Sequence, residues 1–335
     1  MMGGMERKLA SVRTISNVNP IENADAIEAL RIDGWTVVAQ KQVGYQEGQT
    51  VVYFEPDSFL EVSDPRFSFL AERGTRVNTE GVEGHVLRTI RLRGTYSEGM
   101  VLPADLFPEI TGMPVGSDVT ELLGVTKWEP PLPAELAGDV FGHFPGWMRR
   151  TDAERVQNLA EMFPLDGPWF ATEKIDGTSA TYAISPEGEF VACSRNLHLK
   201  PNGNTYWKIA EKYDIEEILR RFYAPGSPVV IQGEIFGEGI QKNPLKIKGQ
   251  DFRFFNFTVG DPRGYNLLQA FYPGELLPVP TVPLALPESP AEALLQVEGM
   301  ESTITPGRQA EGVVWWGGTE GPWKAINQKY LSKEK

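Results

Sequence analysis

The run Glu173-Lys174-Ile175-Asp176-Gly177-Thr178-Ser179 decides how this chain is read. It completes Trp169-Phe-Ala-Thr-Glu-Lys174, an apolar and β-branched segment that reads as a strand. Lys174 therefore stands at a strand end, two residues before an Asp-Gly turn, with Thr178 and Ser179 as turn residues. A lysine amine at such a junction can point into a cleft. Protonated, it is a weak nucleophile; burial or a neighbouring cation lowers its pKa and frees it. The same residues also fit a plain surface turn, so the surrounding sequence has to decide. Residues 180–184 and Val229-Val-Ile-Gln-Gly-Glu234 read as further strands, and residues 205–223 as a helix between them. That order predicts an α+β fold rather than alternating βαβ units.

Upstream, Thr151-Asp-Ala-Glu154 matches a capping box and predicts a helix with Val156, Leu159 and Phe163 along one face. Residues 126–150 hold Pro130, Pro131, Pro133 and Pro145, which break helices and inner strands, and predict a linker. Residues 8–107 read mostly as short strands, including Trp35-Thr-Val-Val-Ala39, Thr50-Val-Val-Tyr-Phe54 and Val86 to Leu92. Turn signals at Asp33-Gly34, Glu47-Gly48 and Gly81 separate them, and the spacing predicts a small barrel or sandwich. The expected organisation is a first module over 1–125, a linker over 126–150 and a second domain over 151–335. A length of 335 residues suits two domains.

Composition narrows the function classes. A hydrophobic fraction of 41% with 32 basic and 45 acidic residues describes a globular protein with real cores. Glycine (34) and proline (26) follow no repeat, which excludes collagen-like and coiled-coil chains. A single cysteine, Cys193, excludes a disulfide framework and a multi-cysteine zinc site. His85, His143 and His198 show no ligand spacing and read as structural or surface residues. No apolar run approaches a membrane span, and the opening residues Met1 to Arg7 show no signal-peptide core, so a cytoplasmic location is expected. There is no GxxxxGK[ST] loop, no GxGxxG after a strand, no GxSxG elbow and no HExxH. A nucleoside triphosphate, if used, is held without a P-loop.

A net charge of −13 argues against nucleic acid at first sight. The charge is segregated, however. Residues 195–253 hold ten Lys/Arg against seven Asp/Glu, and His85-Val-Leu-Arg88-Thr-Ile-Arg91-Leu-Arg93 carries three arginines and no acid. Read as one strand, this segment places Arg91 and Arg93 on one face and Arg88 on the other. A solvated strand face is the alternative reading.

Downstream of Lys174 stand Ser194-Arg195-Asn196, Gln232-Gly-Glu234-Ile-Phe-Gly237, Phe254-Phe255-Asn256-Phe257, Glu311-Gly312-Val313-Val314 and Trp323-Lys324-Ala-Ile-Asn-Gln-Lys329. With Lys174-x-Asp176-Gly177, this series resembles the motif order of the covalent nucleotidyltransferase superfamily of ATP-dependent DNA ligases, RNA ligases and mRNA capping enzymes. Motif I is Lys174-x-Asp176-Gly177, Ia is Ser194-Arg195-Asn196 and III is Gly233-Glu234. Phe255-Asn256 resembles motif IIIa, with asparagine where many members have aspartate, and Glu311 to Val314 resembles motif IV. The Lys324 to Lys329 region resembles motif V, with a Lys-x4-Lys spacing. The runs Gly233 to Asn243, Thr151 to Leu159 and Pro20-Ile-Glu-Asn-Ala-Asp25 are similar to one subgroup, RNA ligases of the Deinococcus type with an N-terminal OB-type module. This likeness covers about residues 8–331.

The resemblance implies an OB-like barrel followed by an adenylation domain, and three nucleotidyl transfers. Lys174 would attack the α-phosphate of ATP, AMP would pass to a 5′-phosphate, and a 3′-OH would displace it. Lys324, Lys329, Arg195 and a divalent cation, Mg²⁺ or Mn²⁺, would spread the phosphoryl charge. Asp176, Glu234 and Glu311 would hold that cation, mainly through water. Glu234 would meet the ribose hydroxyls, Phe255 would stack on adenine, and Glu173 and Gly177 would complete the nucleotide site. Glu234 also fits a strand-end carboxylate paired with a lysine, and Phe255 a core ring, because alternation puts Phe255 and Phe257 on one face. Arg88, Arg91, Arg93 and Lys242, with Tyr96, would contact the nucleic acid. The implied partner is RNA in nicked duplexes with an RNA 3′-OH strand, DNA being admissible on the 5′-phosphate side, and the implied state is a monomer. A GTP-using capping-type guanylyltransferase and a catalytically silent RNA-binding protein are the alternatives.

Overall fold

Thr50-Val-Val-Tyr-Phe54 is the strand around which the first part of the chain is built. The computed structural model describes residues 7–129, 138–264, 276–317 and 321–333. Val51 through Phe54 are buried because both faces of this strand are covered. Val52 and Phe54 pack with Leu9, Phe67 and Phe107, whereas Val51 and Tyr53 pack with Leu30, Trp35 and Val101. Ala10–Thr14 and Met100–Pro103 flank it antiparallel. Ile27–Ile32 lies between Asn17–Pro20 and Trp35–Gln40 in a second small sheet. Short antiparallel strands wrapped around these two cores form the expected barrel-type module.

Local reading and structure part at Val86 to Leu92. This stretch forms two strands, Glu83–Val86 against Ser58–Glu61 and Thr89–Leu92 against Thr95–Glu98. Arg93 (φ 47°) and Gly94 (φ 87°) make the two-residue turn of the second hairpin. Arg93 is thus a turn residue and does not share a strand face with Arg91. The stretch expected as a linker is held in sheet near both ends: Thr126–Lys127 pairs with Ser58–Glu61, and Val140–His143 pairs with Leu197–Leu199. Pro130, Pro131 and Pro133, like Met1 to Glu6, lie outside the described residues.

The helix expected from Thr151 does not form. Glu154–Arg155 instead pairs in parallel with the start of Trp323–Ile326, and a 3₁₀ segment, Val156–Met162, follows. A distant backbone partner here overrides the local capping signal. The apolar positions still reach a core, since Val156, Leu159 and Phe163 pack with Trp315 and Trp323. The helix expected over 205–223 is two, Thr205–Lys212 and Ile215–Arg220, separated by Asp214 in the left-handed region (φ 49°). Among the described residues no helix is long and apolar enough to cross a membrane.

Two sheets organise the second half, antiparallel apart from the parallel pairing of Glu154–Arg155. One runs Val140–His143, Leu197–Leu199, Phe190–Cys193, Thr178–Ile184, Val229–Gly237, Gln250–Val259; the other contains Trp323–Ile326, Gly312–Gly317 and Trp169–Lys174. Ile175-Asp176-Gly177 carries the chain from the second sheet to the first. Thr178 and Ser179 therefore open a strand rather than complete a turn. A β-carbon on Gly177 would lie 2.2 Å from the Ile235 carbonyl oxygen, so this crossing admits no side chain.

Polar contacts fix the first module against the second half. Trp35 Nε1 donates to Asn158 Oδ1 at 2.8 Å, Gln157 Nε2 to Glu98 Oε1 at 2.8 Å and Asn158 Nδ2 to Glu55 Oε1 at 2.6 Å. Arg7 pairs with Glu55 and Asp57, and Arg155 reaches Asp57 at 3.4 Å. Three anchoring side chains from one short segment, Arg155, Gln157 and Asn158, leave the two halves little freedom to slide.

Candidate active site

Where the chain crosses between the two sheets, a cleft of about 1160 Å³ opens. The strand end at Lys174 pairs with Gly312, which brings the preceding residue, Glu311, beside it. Lys174 Nζ lies 2.7 Å from Glu311 Oε2. Glu234 enters from Val229–Gly237, opposite Ser179. Burial alone would lower the Lys174 pKa, but Glu311, Glu234 and Asp176 outweigh it and hold the amine above its ordinary value. Burial does not free this amine, because three carboxylates face it. Burial also pushes the Glu234 carboxyl up to about 8, with Glu311 and Asp176 adding to the rise and Lys174 opposing it.

Asp176 is held from the C-terminal helix Gln328–Lys333: the Tyr330 hydroxyl donates to its Oδ2. Asn327 Oδ1 accepts the backbone N–H of Lys329 at 3.0 Å and so organises the first turn of that helix. Three carboxylates around one amine offer hard oxygen donors suited to Mg²⁺ or Mn²⁺. Among the described residues no three His, Cys, Asp or Glu side chains assemble into a direct metal cage. This donor set suits a cation held through water.

Phe255 reaches the cleft by a register shift. Gln232 pairs with Asn256 and Gly233 with Phe254, which leaves Phe255 as the extra residue of a β-bulge. Alternation would have put Phe255 with Phe257; the bulge separates them, and Phe257 lies in the core while Phe255 lines the cleft. Trp316 stacks against Phe255 with ring centres 6.1 Å apart and is itself held by an Nε1 bond to Thr172. Asn256 points into the core, donating to Gln232 Oε1 at 2.8 Å. An amide there pairs with another amide where a carboxylate would lack a counter-charge.

Cations converge on another carboxylate of the same cleft. Arg195 Nη2 lies 2.5 Å from Asp152 Oδ2, Lys127 Nζ 3.4 Å from the same oxygen and Lys324 Nζ 3.3 Å from Oδ1. Burial lowers the Lys324 pKa to about 8, against the pull of Asp152. Burial would raise Asp152, yet Lys324, Arg195 and Lys127 hold it well below the usual carboxylate range.

The structure thus brings Lys174, Asp176, Gly177, Arg195, Glu234, Phe255, Glu311 and Lys324 to one site. Three expectations change. Glu173 lines the cleft, but both its carboxylate oxygens are engaged, accepting from Ser302 Oγ and the Thr303 N–H. Lys329 is exposed beside Tyr96 and Arg31 in a separate cavity of about 270 Å³, because a turn and a helix start intervene after Ile326. Arg88, Arg91 and Arg93 also lie outside the cleft; Arg91 stacks over Tyr96 at 5.2 Å and donates to the Gly94 carbonyl. Lys242 is exposed next to Gln241, which lines the cleft. Sequence reasoning missed Asp152, Lys127, Trp128 and Tyr330. Asp152 stood in plain view within Thr151-Asp-Ala-Glu154 but read as a helix start.

Two family profiles match the chain, one described as an OB-fold domain over residues 9–104 and one as RNA ligase over residues 167–320. No curated protein sequence matches. Among solved structures, an apo mutant of the Naegleria gruberi RNA ligase is 36% identical, with a TM-score of 0.85 and 98% of each chain covered. A mutant of that ligase with ATP and Mn is 35% identical, with a TM-score of 0.85, covering 98% of this chain and 100% of that one. The same ligase with PPi is 36% identical, with a TM-score of 0.84 and coverage of 98% and 99%. Likeness at this identity over nearly the whole of both chains, with an OB-fold module ahead of the Lys174 cleft, makes this chain a member of the RNA ligase family.

Proposed function

We propose that this chain is an ATP-dependent RNA ligase that joins 3′-OH and 5′-phosphate ends through a Lys174–AMP intermediate. Its preferred substrate on this reading is a nick in a duplex whose 3′-OH strand is RNA. One observation carries the proposal: Lys174 is paired with Glu311 at 2.7 Å in a cleft that also gathers Lys324, Arg195 and Lys127. A nucleophile and a cluster of cations lining one cleft suit a nucleoside triphosphate, whose α-phosphate would meet the amine and whose phosphate charge the cations would offset. The related ligase structures with ATP and Mn, with AMP and Mn, and with PPi support the same reading.

In this arrangement Phe255 would stack on the base, backed by Trp316. Glu234 would accept from the ribose hydroxyls. Glu311 Oε2 stands where it can take a proton from Lys174 Nζ. A divalent cation, when bound through water by Asp176, Glu234 and Glu311, supplies positive charge that offsets these carboxylates and favours the neutral amine. Binding the two RNA ends in one cleft makes the final attack effectively unimolecular. Arg88, Arg91, Arg93 and Lys242 remain the proposed contacts for more distant parts of the duplex.

The test is the intact mass of the folded protein after incubation with ATP and Mn²⁺, followed by peptide mapping. An added AMP on Lys174 is expected. An adduct from GTP alone would move the chain to the capping-type class. Absence of any adduct, on protein free of prior adenylation, would leave RNA binding without catalysis. Matched nicks with RNA or DNA termini then test strand preference, and equal sealing of an all-DNA nick would remove the RNA-strand requirement.

A further inference from the structure

Among the described residues, Asp152 is the cleft carboxylate that meets three cations at once. Lys127 comes from the short strand that extends the N-terminal module, Arg195 from the turn after Phe190–Cys193 and Lys324 from Trp323–Ile326. These three segments are far apart in sequence and belong to three different sheets or turns. Their cationic groups fall within 2.5–3.4 Å of a single side chain. Asp152 is itself partly open to the cleft, with 37% of its side chain exposed.

Three cations facing one anion leave an excess of two positive charges, which a polyphosphate matches better than a carboxylate does. Without Asp152, three like charges would repel one another and spread the cluster. With it, the donors are already gathered when the anion arrives, so less ordering is needed on binding. The same geometry has a second consequence. A polyphosphate oxygen entering the cluster competes with Asp152 for the same N–H donors and is repelled by its charge.

We propose that Asp152 is a positioning residue that gathers Lys127, Arg195 and Lys324 before a polyphosphate binds and competes with the polyphosphate for them afterwards. The competition limits how tightly the cluster retains inorganic pyrophosphate and so hastens product release. This inference rests on the ligase reading for its biological setting, since pyrophosphate is the leaving group of lysine adenylation. The binding claim itself does not depend on that reaction.

The experiment is calorimetric titration of the full-length protein with inorganic pyrophosphate in the presence of Mn²⁺, comparing wild type, Asp152→Asn, Asp152→Ser and Asp152→Glu. Removal of the charge in Asp152→Asn and Asp152→Ser ends both effects, and because the lost repulsion outweighs the lost gathering, pyrophosphate binding is expected to tighten by about tenfold or more. Inhibition of ATP-dependent adduct formation by pyrophosphate should move to correspondingly lower concentration, whereas Asp152→Glu should stay near wild type. A purely structural role would weaken binding in all three variants together with their melting temperatures. Unchanged or weaker pyrophosphate binding in whichever neutral variant folds would overturn the proposal. A wild-type protein that binds pyrophosphate but forms no adduct would instead refute the ligase reading and leave the titration still deciding on Asp152.

Discussion

Lys174 Nζ and Glu311 Oε2 form a 2.7 Å ion pair across the register of two neighbouring strands, so the proposed nucleophile is held by a carboxylate within reach of its proton. The pair keeps the amine charged in the absence of ligand. Lys174→Ala should abolish the nucleotide adduct completely. Sealing of a pre-adenylated 5′ end should survive in part, because that step needs no lysine nucleophile. Loss of both activities in a folded variant would show that Lys174 also serves the last step.

Glu311→Gln removes the acceptor and one of the three carboxylates that raise the Lys174 pKa. Adduct formation should fall by about 10²-fold, the scale typical for losing a positioned proton acceptor. The alkaline rise of the remaining rate should move to lower pH, since the amine loses a stabilising anion. A rate–pH profile that keeps its wild-type midpoint would argue against control of Lys174 by Glu311.

Lys324 has its pKa lowered to about 8 by burial. Its charge is therefore present below pH 8 and lost as pH rises through that value. Affinity for ATP should weaken between pH 7 and 9, seen as a rising KM in adduct formation. Lys324→Arg, whose guanidinium stays charged throughout, should flatten this rise even if it lowers the rate. An identical rise in the arginine variant would assign it to another group.

Phe255 lines the cleft with Trp316 behind it. Phe255→Ala should raise the KM for ATP by about tenfold, given that an aromatic–base stack is worth about 1–3 kcal/mol. Phe255→Tyr should restore most of the affinity. Equal KM values for all three proteins would return Phe255 to the role of a packing residue.

Tyr330 reaches from the C-terminal helix to Asp176. Tyr330→Phe deletes only the hydroxyl, and a hydrogen bond to a charged group is worth about 1.5–3 kcal/mol. Adduct formation should fall about tenfold and need more Mn²⁺ for half-maximal rate, with the melting temperature little changed. An unaltered metal requirement would separate Tyr330 from the positioning of Asp176.

The sequence by itself determined the parts whose chemistry is local. Strand-forming runs such as Thr50–Phe54 and Trp169–Lys174 fold as their composition dictates, because β-branched and aromatic side chains suit a covered pleated surface. The proposed nucleophile, Lys174, was legible from its place at a strand end ahead of Asp176-Gly177, and the structure shows why glycine stands there, with 2.2 Å between a notional β-carbon and the Ile235 carbonyl. Glu234, Glu311, Lys324 and Arg195 were legible through the order of short motifs that reach one cleft.

Tertiary structure decided what depends on partners distant in sequence. The capping box at Thr151 lost to a parallel pairing of Glu154–Arg155 with residues of the last strand, which no local pattern encodes. Phe255 left the core face because of a bulge opposite Gln232 and Gly233, and a single extra residue reverses every alternation beyond it. Glu173 was occupied by Ser302 and Thr303, and Lys329 was turned to another cavity by the start of its helix. Asp152 gained its role only when Lys127, Arg195 and Lys324 were folded around it, since Coulomb interactions act over a few ångströms of space regardless of separation along the chain.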